Sequence, residues 1–183
     1  MNTEALKKAQ KALQIADVYL RNASMHVDDT YEHRSPTTEG LQTQYRHLVE
    51  KSEVLESESG DARTRLFRVH LVLGFRWGTE TEQKDVDESR ITSSNDATDF
   101  SEAGRIDAKY VAEYALLSEL EQECLDEFAL HNASYHVWPY WREFILSSCQ
   151  RMNAPKMMLP MLQMAQNRNA AACDETDSAA TGR

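Results

Sequence analysis

The side chains with the widest chemical reach in this 183-residue chain are six histidines and three cysteines. Such groups hold a metal when three or four converge, and they catalyse when a nucleophile and a base lie within hydrogen-bond reach. The spacing supports neither arrangement. His131 and His136 are five residues apart, a step that does not keep both on one helical face, and no cysteine or carboxylate completes a ligand set. Cys124, Cys149 and Cys173 include no C-x-x-C pair and stand at no recognised Cys–His spacing. A G-x-S-x-G elbow and a glycine-rich phosphate loop are both absent, and six glycines leave little material for such a cradle. Asp107 and Glu113 are carboxylates on the polar side of a strand pattern, where a solvated sheet surface accounts for them. The sequence asks for no enzyme, no metal and no cofactor.

Thirty acidic residues against twenty basic ones give a formal net charge of −10, which repels the phosphates of nucleic acid. The same acidity suits a binder of basic unfolded chains, and it equally suits plain solubility. Two cysteines fall on expected helix faces and the third lies in a polar tail, a reduced and intracellular pattern. No apolar run approaches the ~20 residues that a membrane span needs. The opening MNTEALKKAQKAL has no hydrophobic signal core, so the expected location is the cytoplasm.

The elements that must position any site follow from periodicity. Thr3–Leu13 reads as a short Ala-rich helix, and Ile15–Val27 as a first strand with imperfect alternation. Asp28, Asp29, Ser35 and Pro36 mark a loop, after which Leu41, Tyr45, His47 and Val49 face one way in a second strand over Leu41–Glu50. In Arg65–Trp77 every odd residue from Phe67 to Trp77 is apolar. In Ile106–Leu117 the even positions Ile106, Ala108, Tyr110, Ala112, Tyr114 and Leu116 are. A period of two over that length predicts antiparallel strands with one buried and one wet face. Between them residues 79–104 are acidic and Ser/Thr-rich, and read as a long mobile loop. Ser118-Glu119-Leu120-Glu121 reads as a capping box opening a helix that carries Leu120, Cys124, Leu125, Phe128 and Ala129 on one face.

The last ordered stretch, His131–Leu162, is the most distinctive. Pro139 stands where a helix can begin, and Trp138, Trp141, Ile145, Cys149 and Met152 recur at helical steps. Asn153 offers a C-cap and Pro155 stops the helix. Trp77, Tyr140, Phe144 and the methionines 152, 157, 158, 161 and 164 add apolar surface beyond what one small sheet and two helices can hide. Residues 166–183 turn polar and read as a disordered tail, which leaves one domain over 1–165.

Trp138-Pro139-Tyr140-Trp141-Arg142-Glu143, preceded by Phe128-Ala129-Leu130-His131-Asn132 and followed by Met158-Leu159-Pro160, resembles the C-terminal signature of SecB protein-export chaperones. The resemblance covers about the last sixty residues and continues collinearly back to about Ile15. It implies an α+β fold: a four-stranded antiparallel sheet with two C-terminal helices on one face, plus the short N-terminal helix. It also implies an ATP-independent holdase, assembled as a dimer of dimers, that keeps unfolded precursors export-competent. The positions matching the family's client groove are Leu41, Tyr45, Val49, Tyr140, Phe144, Met157 and Leu159. The helix carrying Trp138, Trp141, Ile145, Cys149 and Met152 is then the expected oligomer interface. The family docks the translocase motor SecA through acidic residues, whereas the matching positions here hold Asn22, His26, Phe75 and Trp77. That departure, with the acidic 79–104 insertion, also resembles SecB-like chaperones dedicated to an antitoxin. An oligomeric interaction module without holdase activity is the alternative from another class.

Overall fold

The computed structural model describes residues 1–32, 40–59, 62–80, 100–156 and Leu159. Among these residues seven elements follow one another: α1 (Thr3–Ala12), β1 (Leu13–Val27), β2 (Leu41–Ser59), β3 (Ala62–Glu80), β4 (Phe100–Leu116), α2 (Gln122–His131) and α3 (Ala133–Arg151). The strands make one antiparallel sheet in the order β1-β4-β3-β2, and the helices share a single core with one of its faces. The expected α+β architecture is the observed one.

The central strands owe their place to uninterrupted alternation. Phe67, Val69, Leu71, Leu73, Phe75 and Trp77 of β3 are all buried, as are Ile106, Ala108, Tyr110, Ala112 and Tyr114 of β4. The alternate positions form a charged ladder on the outer face. Arg46 meets Asp107 at 2.8 Å, Lys109 meets Glu50 at 2.6 Å, and Arg68 meets Glu113 at 2.6 Å. The first two pairs are exposed and contribute at most about 1 kcal/mol each, so their effect is to keep this face wet rather than to hold the fold.

The strands are longer than alternation alone suggests. Residues 79–80 and 100–104, expected in the loop, are paired strand, with Thr79 opposite Ser101 and Glu80 opposite Phe100. Arg76 lies over the Phe100 ring at 4.9 Å and anchors that extension. Residues 81–99 and the 166–183 tail lie outside the described residues, as does the loop at Ser35 and Pro36.

Two helix starts differ from expectation. Pro139 lies inside α3, not at its head. Ala133 and Val137 are fully buried four residues apart, in line with Trp141, Ile145 and Cys149, and that burial outweighs the cost of about 3 kcal/mol for an interior proline. The Ser118 box does not cap α2 either. The helix begins at Gln122 behind Glu121, and its acids turn to α1 instead, with Glu127 and Glu123 accepting from the backbone and side-chain nitrogens of Asn2 at 2.8 and 2.7 Å. The far end of α3 does follow the sequence. Asn153 takes a left-handed conformation (φ 54°), and the Ala154 N–H reaches the Cys149 carbonyl at 2.9 Å, closing a Schellman motif.

Two histidines seat the first half of α3. His47 Nε2 lies 2.6 Å from Ser134 Oγ, and His136 Nδ1 lies 3.0 Å from the Tyr114 hydroxyl. Burial lowers the pKa of both rings and raises that of the Tyr114 phenol, so that contact joins a protonated hydroxyl to a neutral imidazole.

Two predictions follow from these contacts. The unfolded chain binds more protons at the two histidines than the folded chain does, so stability is full above the ordinary histidine pKa of 6.5 and falls as pH drops through and below it. The melting temperature should fall between about pH 7 and pH 5, and a His47→Gln/His136→Gln chain should show a flatter dependence over that range. Gly104 lies under Trp77, and a Cβ there would stand 2.1 Å from Cζ2 of the ring. Gly104→Ala should therefore cost about 1–3 kcal/mol in urea unfolding.

Candidate functional site

The surface that stands out is the part of the inner sheet face that the helices fail to cover. α3 crosses the sheet obliquely: its start touches β2 through His47, its middle packs Trp141 against Tyr110 of β4, and Cys149 near its end lies close to Tyr31 beyond β1. The central strands are covered along this path. The two outer strands are covered only in part.

On β1 the uncovered side is aliphatic. Ile15, Val18, Leu20 and Met25 pair with Tyr114, Ala112, Tyr110 and Ile106, all of which point inward, so all four share the inner face. Ile15 is nevertheless 45% exposed, Leu20 41% and Met25 49%. The stripe runs about 33 Å at strand rise. On β2 the uncovered side is aromatic. Tyr45, 54% exposed, stacks on Phe75 at a centroid distance of 5.8 Å, and its hydroxyl lies 3.1 Å from Thr43 Oγ1. Leu41 and Val49 lie on the same side and are half-buried. Tyr140 stands 51% exposed on α3, its carbonyl accepting at 3.4 Å from Tyr110, whose own phenol burial pushes up to about 12.

The residues expected at the client groove divide accordingly. Leu41, Tyr45, Val49 and Tyr140 offer surface. Phe144 is half-buried and stacks on Trp141 at 6.1 Å. Leu159 is buried within the core and offers none, and Met157 lies outside the described residues. The residues expected at the oligomer interface divide as well. Trp141, Ile145 and Cys149 are each 1% exposed because they face the sheet of their own chain. Trp138 and Met152 are half-buried. Phe75 and Trp77, placed on a SecA-facing surface by resemblance, occupy odd positions of β3 and are buried in the core, whereas Asn22 and His26 are exposed on the outer face.

Sequence reasoning missed the β1 stripe. Register shifts between Ile15 and Asp17 and between Leu20 and Asn22 each insert a residue, so the inner face follows steps of three and two, not two throughout. The apolar residues at 15, 18 and 20 carried that signal.

Among the described residues no three His, Cys, Asp or Glu side chains come together as a metal site, and no helix is long and apolar enough to cross a membrane. No protein-family model matches the chain, and no curated protein does. Among solved structures it is similar to the Mycobacterium tuberculosis Rv1957 SecB-like chaperone in complex with a ChAD peptide from Rv1956 HigA1 antitoxin. The TM-score is 0.60, covering 87% of this chain and 97% of that one at 15% sequence identity. With a four-stranded antiparallel sheet, a short N-terminal helix and C-terminal helices on one face, this chain has the SecB-like fold.

Proposed function

We propose that this protein is an ATP-independent holdase that binds unfolded polypeptides on the uncovered inner face of its sheet. The observation that carries the reading is the apolar flank left open on either side of α3. A packed single-chain protein rarely leaves so much contiguous apolar surface without a partner. The two flanks differ in chemistry and are given different tasks. The β1 flank, aliphatic along its whole length, suits a permanent contact between copies and is assigned to a homotetramer built as a dimer of dimers. The β2 flank, with Tyr45, Leu41 and Val49, suits clients, as does the exposed Tyr140 of α3, because aromatic and aliphatic contacts with few directional bonds tolerate many sequences. Many weak contacts along an extended chain then give tight binding through avidity.

A dedicated role is the second reading, favoured by one observation: the similar structure holds a peptide from an antitoxin. In this version the client is one aggregation-prone antitoxin segment, and delivery to SecA is not required. A cytoplasmic location suits both readings, while export competence belongs to the general one. An interaction module with a fixed folded partner and no holdase activity is the remaining alternative.

Light scattering of an aggregating unfolded protein, run without ATP beside native mass determination, separates these readings. A holdase suppresses the scattering as a species of four chains. Tyr45→Ser should leave that mass unchanged and weaken suppression by about tenfold in effective concentration. Leu20→Asp with Met25→Asp should lower the mass. Suppression confined to one cognate segment would favour the dedicated role, and none with any client would leave only the interaction module.

A further inference from the structure

The outer face of the sheet carries a feature that client binding does not use. Around Gly74 the charged ladder opens into a hollow of about 310 Å³, adjoined by a second of about 170 Å³, and the two share Arg46 and Asp107. Gly74 is the floor. A Cβ there would stand 2.9 Å from Asp107 Oδ1 and 3.2 Å from the Arg46 Cβ, so any larger residue would displace that ion pair and fill the hollow.

Four cations line the two hollows: Arg46, Arg76 and Arg105 in the first, Lys109 in the second. Their carboxylate partners are shared. Asp107 lies 2.8 Å from Arg46 and 3.3 Å from Arg105, Glu102 lies 3.6 Å from both Arg76 and Arg105, and Glu50 lies 2.6 Å from Lys109. Among the described residues four positive groups thus face three negative ones, in a chain whose total is −10. All four cationic side chains keep roughly half their surface open to solvent.

We infer that this double hollow docks an extended acidic segment of a partner protein, with carboxylates four residues apart. Arg105 and Lys109 point from the same side of β4, about 13 Å apart at strand rise, with Asp107 midway. A peptide lying extended along β4 repeats its side chains with the same period. Its residues i and i+4 then meet Arg105 and Lys109, and residue i+2 meets Asp107 and must be neutral or basic. Guanidinium forks also suit a carboxylate, which they can grip through two parallel bonds. Nucleic acid fits poorly, because it lays a phosphate over Asp107 and approaches a strongly negative chain. The inference is independent of the holdase reading, since it concerns the opposite face of the sheet.

The test is fluorescence anisotropy of the full chain with two labelled peptides of identical composition. One has Glu at i and i+4 with Lys at i+2, and its isomer has Glu at i and i+2 with Lys at i+4. The first should bind about tenfold more tightly or better, and its binding should weaken as salt is raised. Arg105→Gln and, separately, Lys109→Gln should each weaken it by about tenfold. Arg105→Lys should recover part of the loss. Circular dichroism establishes that each variant is folded. No binding at low salt, equal binding of both isomers, undiminished binding by folded Arg105→Gln and Lys109→Gln chains, or preference for a single-stranded oligonucleotide would overturn the inference.

Discussion

The structure depends on an apolar sheet face that is larger than the layer covering it. The strands are 15 to 19 residues long, roughly 50–60 Å at strand rise, and the outer two lie about 14 Å apart. Across this face runs α3, whose 19 residues make a rod about 28 Å long and about 10 Å wide. α1 and α2 close one end, where Phe128 stacks edge-on against Tyr114 at 4.9 Å. What the rod covers becomes core. Among the described residues, what it does not cover is where large apolar groups stand exposed in a row.

The two faces are kept apart by the same period of two. On β3 and β4 it sends aromatic and aliphatic groups inward and Arg68, Arg76, Arg105, Asp107 and Glu113 outward, so the sheet is greasy on one side and ionic on the other. The outer strands soften that rule. β1 carries two bulges and β2 one, between Val49 and Lys51. A bulge interrupts the row of backbone donors that would otherwise recruit strands without limit. An interface at such an edge is restricted to partners matching its broken register. Apolar contact remains available along the flank.

The fold was largely legible in the amino-acid sequence because its strongest signals are long. Six apolar residues at odd positions from Phe67 to Trp77 admit no other reading, and the tryptophan-rich helix needs a sheet to cover. The site was less legible. Trp141, Ile145 and Cys149 read as an oligomer interface because a helix stripe does not say what it faces; here Trp141 meets Tyr110, and all three are buried in the core of their own chain. The start of α3 was hidden by Pro139, since the polar HNASYH stretch conceals Ala133 and Val137 four residues apart. The β1 stripe was hidden by Ala16 and Arg21, which rephase the strand without any glycine or proline to mark the bulges. The basic hollow was out of reach because Arg46, Arg76 and Arg105 come from three strands that only the register brings together.

The central claim is that unfolded chains contact the inner face beside α3 and leave the ionic outer face alone. Methyl NMR of the labelled full chain during titration with a permanently unfolded polypeptide tests it most directly, because methyl groups report each face of the sheet separately. The account predicts that Leu41 and Val49 on the β2 flank shift, while Val72 and Leu48 on the outer face do not. Shifts confined to the outer-face methyls, or none at a concentration that prevents aggregation of the same polypeptide, would contradict it.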